Sequence, residues 1–241
     1  AFRRKTTPDD RLSALPDDIL LYILSFSRTT DAARTSVLST RWRYLFVRLP
    51  DVDLTFSGAY MCNFMDKGPT LCCHARNKRD MLLCKSIKFI NFANRVIMLR
   101  KGAPIRKFKL RLASVIPGNS VTIDSLIFAA LSCTLQEVDI FIYSDKNWKL
   151  ARAGLFSCKT LVTLKVIGGE VDLVLPDSVY LPNLKALHLL ELAPVDAQSI
   201  TRLINACPLL EELELGVESH NLSKRLLTRA VDLSSPSLKK L

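Results

Sequence analysis

Residues that could bind a metal ion are few in this sequence. The densest group holds three cysteines and a histidine, with one more cysteine beyond it: Cys62, Cys72, Cys73, His74 and Cys84. A structural zinc site normally takes its ligands in pairs such as Cys-x-x-Cys, because one turn of chain then presents two donors to the same tetrahedral ion. The sequence contains no such pair, and adjacent Cys72 and Cys73 cannot easily share one tetrahedral site. We therefore predict no metal site.

The sequence also lacks the patterns that position a nucleophile, a base or a phosphate group. It has no glycine-rich phosphate loop, no His-Glu-x-x-His pair and no Gly-x-Ser-x-Gly turn. His74, His188 and His220 have no partner at catalytic spacing, and His188 falls within a predicted strand, where we expect a surface residue of a sheet. The sequence predicts neither an enzyme nor a bound cofactor.

A repeated apolar unit occupies most of the chain. Its form is apolar-x-x-apolar-x-apolar, and it appears at Ile105/Phe108/Leu110, Leu135/Val138/Ile140, Leu161/Leu164/Val166, Leu184/Leu187/Leu189, Leu210/Leu213/Leu215 and, cut short, Leu238/Leu241. It returns every 23 to 30 residues, which is typical of a solenoid whose coils each supply one strand and one return segment. A weaker form, Leu49/Val52/Leu54, precedes the series. Helices are predicted over 81–99, 123–131 and 197–206.

Charged residues recur between the apolar positions of these units. Since alternate residues of a strand face opposite ways, they are predicted to line the outer face of the sheet. The candidates for binding a target protein are Lys107, Lys109, Arg111, Glu137, Asp139, Lys165, His188, Glu212 and Glu214. Their charge changes from basic to acidic along the chain, with a nearly neutral patch around Ile167 and Leu190. This order predicts a bound segment that is acidic towards the amino-terminal end of the sheet and basic beyond it; ordinary solvated strand positions are the alternative.

The amino-terminal stretch 10–49 predicts three short amphipathic helices. The first opens at Pro16, whose fixed φ suits a helix start, and Asp17 and Asp18 complement the helix dipole. A second helix begins near Asp31, and a third can be capped by Ser39.

Apolar side chains surround the first of these helices. They are Leu15, Ile19, Leu20, Leu21, Tyr22, Ile23, Leu24 and Phe26, and Ile19, Leu20, Ile23 and Leu24 form one stripe among them. The third helix places Trp42, Leu45 and Phe46 on one side. About forty residues cannot bury so much apolar surface alone. The surplus predicts a partner protein; a helical subdomain packed on its own chain is the alternative.

This stretch resembles the F-box of plant F-box proteins. The likeness rests on LSALPDDILLYILSF followed by DAARTSVLSTRWRYLF, which contain a Leu-Pro, an acidic pair, an Ile/Leu-rich helix, Ser-Val-Leu-Ser and Arg-Trp-Arg. LPNLKALHL and CPLLEELEL resemble the leucine-rich repeats that follow the F-box in such proteins. The resemblance implies an α/β fold in which a three-helix F-box precedes a leucine-rich-repeat solenoid, a curved parallel sheet with helical or irregular return segments.

The resemblance also implies partners. In this family the F-box binds a Skp-type adaptor attached to a cullin scaffold, and the repeats bind a target protein. The chain would then be a non-enzymatic substrate receptor of an SCF-type ubiquitin ligase, acting in the nucleus or the cytoplasm. The residues that the resemblance places against the adaptor are Leu15, Pro16, Ile19, Leu20, Ile23, Val37, Leu38 and Trp42.

The expected organisation is an F-box at 10–49, a first strand and linker at 50–80, and a solenoid over 81–241. The sequence ends within SPSLKKL, part-way through a repeat, and does not begin with Met. Because repeat arrays normally end in a polar capping coil, we expect a shortened array that lacks the FBD domain found at the end of many such proteins.

Composition limits the remaining possibilities. With 49% hydrophobic residues the chain can bury a large core, and no apolar run approaches the length of a transmembrane helix, so no membrane partner is predicted. Seven cysteines, an odd number, fit reduced thiols inside the cell. The net charge of +11 leaves open a basic scaffold that binds nucleic acid or another acidic partner without a ligase role. Few aromatic residues interleave the basic clusters, so we do not expect nucleic acid.

Overall fold

The computed structural model describes residues 11–12, 14–56, 78–115, 120–144, 148–149, 154–168, 171–192 and 196–217. The chain divides into two compact units between Leu49 and Pro50. The first unit is helical and the second contains a parallel sheet with helices, so the predicted α/β class is confirmed. None of the helices in these ranges combines the length and the apolar character needed to cross a bilayer.

The described part of the helical unit consists of short helical segments. They are α1 (Asp17–Ser25), α2 (Thr29–Arg34) and the 3₁₀ helices Thr35–Val37 and Trp42–Arg48. The 3₁₀ helix Trp42–Arg48 contacts each of the others. Trp42, Leu45 and Phe46 lie on one side of this helix, as their spacing predicts, and that side is buried. This helix is therefore the element that holds the unit together.

The helix starts differ from the prediction in detail. α1 begins at Asp17, because Pro16 precedes the helix and its carbonyl accepts the N–H groups of Ile19 and Leu20 at 3.1 Å. The predicted Ser39 cap is wrong. Arg41 already has helical dihedral angles (φ −62°, ψ −44°) and directly precedes the last 3₁₀ helix, which has no side-chain cap, so Ser39 lies too early in the chain to cap it.

Six parallel strands form the main sheet of the second unit, in the order β1, β2, β3, β5, β7, β8. Their bounds are β1 (Asp51–Phe56), β2 (Lys107–Val115), β3 (Glu137–Ser144), β5 (Thr163–Ile167), β7 (Ala186–Leu192) and β8 (Glu212–Val217). A separate parallel pair joins β4 (Trp148–Lys149) to β6 (Val171–Asp172). The five complete apolar units each supply one strand of the main sheet, and the weaker unit around Val52 supplies β1, so the repeat sheet starts at Asp51.

A backbone hydrogen bond at the same place in each coil fixes how the coils stack. The residue just before a strand donates its N–H to the residue that holds this place in the preceding coil. These bonds run from Arg106 to Pro50 (2.8 Å), Gln136 to Arg106 (3.2 Å), Val162 to Gln136 (2.8 Å), Lys185 to Val162 (2.8 Å) and Glu211 to Lys185 (2.8 Å). The apolar residue that opens each unit is buried beside it: Ile105, Leu135, Leu161, Leu184 and Leu210. Each coil is thus held by its neighbours, as in repeat proteins generally.

Return segments include α3 (Lys78–Leu99), α4 (Ser120–Leu131) and α5 (Ala197–Asn205), which confirms the three predicted helices with their ends shifted. α3 packs on the buried side of the sheet, where the ring centroid of Phe89 lies 5.3 Å from that of Phe56 in β1. Asp196 caps α5 by accepting the N–H of Ser199 at 2.8 Å. The opposite side of the sheet is therefore the side without this helical cover.

Ile140 of β3 tests how much this core stabilises the sheet. Because Ile140 is fully buried, Ile140→Ala should lower the free energy of unfolding by about 2–5 kcal/mol. Phe128→Ala on α4 is the control, since Phe128 is exposed and its loss should change that free energy by less than about 0.5 kcal/mol. Urea denaturation followed by circular dichroism measures both, and equal effects would contradict the assignment of the core.

Candidate protein-binding surfaces

One side of α1 exposes large apolar side chains. Ile19, Tyr22, Ile23 and Phe26 are all exposed, and Phe26 has 75% of its surface accessible. Their spacing of three and four residues places them on one helix face. The rings of Tyr22 and Phe26 meet edge to face with centroids 4.9 Å apart. We call these four residues the α1 apolar face.

The opposite side of α1 is buried. Leu20 is 0% exposed, and Leu24 is buried as well. The predicted stripe of Ile19, Leu20, Ile23 and Leu24 is thus divided between core and solvent. The prediction that Leu20 lies against an adaptor is corrected, because its side chain has no accessible surface to offer in this structure.

Two further apolar residues are exposed at the end of the 3₁₀ helix Thr35–Val37. Val37 is 88% exposed, and Leu38, which follows it, is exposed too. Ala32 of the preceding α2 is buried, so this segment is anchored on one side and open on the other. Of the remaining predicted adaptor contacts, Pro16 is exposed and Leu15 is partly exposed.

Trp42 requires the second correction. Sequence analysis places it against an adaptor, but only 5% of its surface is exposed, and it lies in the core with Leu45 and Phe46. The 3₁₀ helix that carries it contacts α1 and α2, so the indole contributes to folding of the helical unit. Its effect on a partner would be indirect.

Arg41 links the start of α1 to the segment before Trp42. Its Nε donates to Asp17 Oδ1 at 2.8 Å, and its Nη2 donates to the carbonyl of Leu15. Arg48 adds a second ion pair, with Nη1 3.1 Å from Asp17 Oδ2. These contacts hold the Leu15–Pro16 turn against the last 3₁₀ helix. The hydrogen bond from Arg41 and the charges of both arginines lower the pKa of Asp17 below its ordinary value of 3.8.

On the repeat sheet, the outer residues form rows across the strands. The strand register aligns Asp53, Lys109, Asp139, Lys165, His188 and Glu214, one residue per strand. A parallel row contains Asp51, Lys107, Glu137, Thr163, Ala186 and Glu212. These two rows contain eight of the nine predicted target-binding residues, and Arg111 lies on the same face, two residues beyond Lys109 in β2. All nine are at least partly exposed. Their role in binding a target stays a prediction.

Ion pairs between strands neutralise much of the basic charge on this face. They join Lys107 to Glu137 (3.0 Å), Lys109 to Asp53 (3.1 Å) and Arg111 to Asp139 (3.2 Å). The ring of His188 forms a hydrogen bond with Glu214 (2.8 Å). Sequence analysis missed Asp51 and Asp53, because the unit that carries them is weak. With β1 in place, Lys107, Lys109 and Arg111 of β2 are each paired with a carboxylate of a neighbouring strand. The predicted charge order of a bound segment stays a prediction.

A third row is mostly apolar. It runs from Thr55 and Arg111 to Phe141, Ile167, Leu190 and Gly216. Phe141, Ile167 and Leu190 are partly exposed, and we call these three the sheet apolar row. A Cβ atom at Gly216 would lie 2.8 Å from Cδ2 of Leu190, so the missing side chain leaves room for Leu190 to lie over β8.

His188 and Cys207 lie in surroundings that fit a structural role. His188 Nδ1–H donates to Glu214 at 2.8 Å on the sheet face. Burial raises the pKa of Cys207 to about 12, so its thiol stays protonated near neutral pH. Among the described residues, no group of three or more His, Cys, Asp or Glu could hold a metal ion. Four members of the cysteine–histidine group considered above, Cys62, Cys72, Cys73 and His74, lie outside the described ranges.

Two family models match this sequence. One is described as F-box domain and matches residues 12–52. The other is described as FBD-associated F-box protein At5g56370, LRR repeats, and matches residues 124–241. The first match covers the helices that carry the α1 apolar face, and the second covers the sheet from the coil of β3 onwards.

The sequence is also similar to curated proteins of Arabidopsis thaliana. It is 36% identical over 206 residues to F-box/LRR-repeat protein At3g59190, a match to 85% of this chain and 49% of that protein. It is 34% identical over 208 residues to F-box/LRR-repeat protein At4g14103, covering 86% of this chain and 49% of that one. For F-box/LRR-repeat protein At2g42720 the identity is 32% over 238 residues, 96% of this chain and 48% of the relative. The chain spans about half the length of these relatives.

The Arg41–Asp17 contact predicts a pH effect. Arg41→Gln should raise the pKa of Asp17 towards 3.8, because the hydrogen bond from Arg41 is the largest cause of the lowering. Ionised Asp17 stabilises the fold above pH 3.8, and this stability is lost as pH falls through the lowered pKa, so the variant should lose less stability on acidification.

Titration of the Asp17 carboxyl group by NMR measures the shift. Arg43→Gln removes the same charge from a neighbouring exposed position and should leave the pKa of Asp17 where it is. If the carboxyl titrates identically in wild type and Arg41→Gln, the contact is not formed in solution.

Proposed function

We propose that this chain, which belongs to the F-box/leucine-rich-repeat family, is a substrate receptor of an SCF-type ubiquitin ligase. The helical unit would bind a Skp-type adaptor and, through it, a cullin scaffold, while the repeat sheet would bind the protein to be modified. The observation that carries this proposal is the α1 apolar face, which lies exposed within the region that matches the F-box.

The free energy of hydration favours a protein partner for the α1 apolar face. Burying a large apolar side chain stabilises by about 1.5–3 kcal/mol relative to leaving it in water. Ile19, Tyr22, Ile23 and Phe26 together expose several such side chains on one helix, and Val37 and Leu38 expose two more. Contiguous apolar surface of this kind usually marks a protein interface. Aromatic anchors such as Tyr22 and Phe26 commonly supply most of the binding energy at such interfaces.

The proposed role requires no catalysis by this chain. A receptor that holds its target close to the enzyme that carries ubiquitin raises the effective concentration of a target lysine, and this alone accelerates transfer. Arg41 would contribute by fixing the Leu15–Pro16 turn beside the exposed residues of α1, so that the adaptor meets a preformed surface. We place the protein in the nucleus or the cytoplasm on the basis of this role.

The repeat sheet is the surface that we assign to the target. Its outer face combines partly exposed charged residues with the sheet apolar row, and strands joined by backbone hydrogen bonds hold these side chains at fixed spacing. Rigid presentation lowers the entropy cost of binding. We thus assign target binding to the sheet apolar row as well as to the predicted charged residues such as Lys107, Lys109 and Arg111.

Replacement of Ile23 by aspartate tests adaptor binding. Ile23→Asp places a charge in the centre of the α1 apolar face, and burying that charge against an apolar partner should weaken binding to a recombinant Skp-type adaptor by at least about tenfold. Isothermal titration calorimetry gives the dissociation constants. Phe128→Asp, which also places aspartate at an exposed apolar position but in the repeat unit, should bind the adaptor like wild type.

Trp42→Ala separates folding from binding. Because Trp42 is buried, its truncation should cost about 3–5 kcal/mol of stability and reduce the helical signal of the first unit. Ile23→Asp, by contrast, should retain the far-ultraviolet spectrum of the wild type. Wild-type adaptor affinity in Ile23→Asp would reject the α1 apolar face as the docking surface.

A further inference from the structure

We propose that the middle of the sheet face binds an extended protein segment through one acidic and one apolar side chain. The acidic residue pairs with Lys165, and an apolar residue two positions away packs on Ile167 and Leu190. This inference rests on the proposed target-binding role of the sheet face, and it adds the chemistry of the segment that is recognised.

Among the described residues, no carboxylate forms an ion pair with Lys165. Lys107, Lys109 and Arg111, the other basic residues of the outer rows, are each paired with a carboxylate of a neighbouring strand. Lys165 makes no hydrogen bond or ion pair with any residue that the structure describes. Where the other basic residues are already paired, a ligand carboxylate can form its strongest charge-assisted hydrogen bond with this partly exposed lysine.

Asp139 and His188, the neighbours of Lys165 in its row, contact other residues. Asp139 lies directly opposite on β3, but its Oδ2 is 3.2 Å from Nη2 of Arg111 and its side chain is largely buried. On the other side His188 lies opposite on β7, and its ring donates to Glu214 at 2.8 Å. Oδ2 of Asp139 is therefore engaged by Arg111 and the Glu214 carboxylate by His188, whereas Oδ1 of Asp139 is buried and has no hydrogen-bond partner among the described residues.

Apolar surface lies immediately beside this charge. Ile167 follows Lys165 by two residues on the same face of β5, and the register places Phe141 and Leu190 on either side of it. Leu190 lies towards Gly216, where no side chain obstructs it. The charge and the apolar surface thus form one continuous site that Lys165 and the sheet apolar row define.

An extended segment fits this site because its side chains repeat at the same distance. Alternate side chains on one face of a strand are about 6.6 Å apart, which is also the separation between the row of Lys165 and the row of Ile167. A segment that runs along β5 would place a carboxylate at Lys165 and its next residue on that face at Ile167. Glutamate or aspartate, any residue, then leucine or another large apolar residue is the pattern that matches.

Labelled synthetic peptides test this assignment on the whole chain. In fluorescence anisotropy a Glu-x-Leu peptide should bind, and the matched Gln-x-Leu peptide should bind about tenfold more weakly, since it lacks the charge-assisted pair. Lys165→Glu should reverse the order, so that a Lys-x-Leu peptide binds best. Ile167→Ser should weaken binding of the Glu-x-Leu peptide. The variant should still bind Glu-x-Leu more tightly than Gln-x-Leu.

Lys159→Glu is the matched control, because it makes the same charge change just before β5 and should keep the wild-type order. Equal binding of the Glu and Gln peptides, an unchanged order in Lys165→Glu, or no binding of any peptide would overturn this inference. Adaptor binding is measured in parallel. If the wild type fails to bind the adaptor, the proposed function fails; if it binds while the peptides show no selectivity, only this inference fails.

Discussion

The stacking of one coil on the next is the interaction on which the repeat unit depends. A strand such as β3 buries Val138 and Ile140 on one side, yet a single coil has no means of covering them. Parallel pairing keeps one register over the first five residues of each strand and shifts only near the ends of β2 and β7, so equivalent residues of successive coils lie together. A backbone hydrogen bond just before each strand marks the start of that register. The same register lines up the outer side chains. The strand register therefore determines both the packing of the core and the arrangement of the candidate binding face.

The helical unit has a small core and an excess of apolar side chains. It is small, and its core relies on a few side chains, among them Leu20, Leu24 and Trp42. The apolar residues that remain outside, from Ile19 to Phe26, exceed what such a core can accept. Arg41 and Asp17 add polar contacts that fix the first helix at its start. Stability and exposure of apolar surface are thus divided between two sides of α1, and a substitution on either side should have a distinct effect.

Local periodicity predicted the strands, the helices and the buried positions, because each depends on residues close together in the chain. It could not decide which side of α1 would be covered, since apolar residues surround that helix. It also could not pair charges across strands: Lys109 binds Asp53, 56 residues away, and Asp53 belongs to the weakest unit. The family resemblance places Trp42 and Leu20 against an adaptor, and local spacing does not correct this, because the burial of both depends on contacts between helices that the spacing does not specify.

Pairing of charges across neighbouring strands limits which substitutions the outer face of the sheet can accept. Exchange of Lys109 for a neutral residue removes the ion pair between Lys109 and Asp53, and reversal of the charge at Lys107 places a second negative charge opposite Glu137. Viable variation at these positions should therefore proceed by compensating double substitutions on adjacent coils. Lys165 is under no such restriction and can change alone. On the proposed role of this face, a single substitution at Lys165 is enough to change the charge of the segment that it prefers.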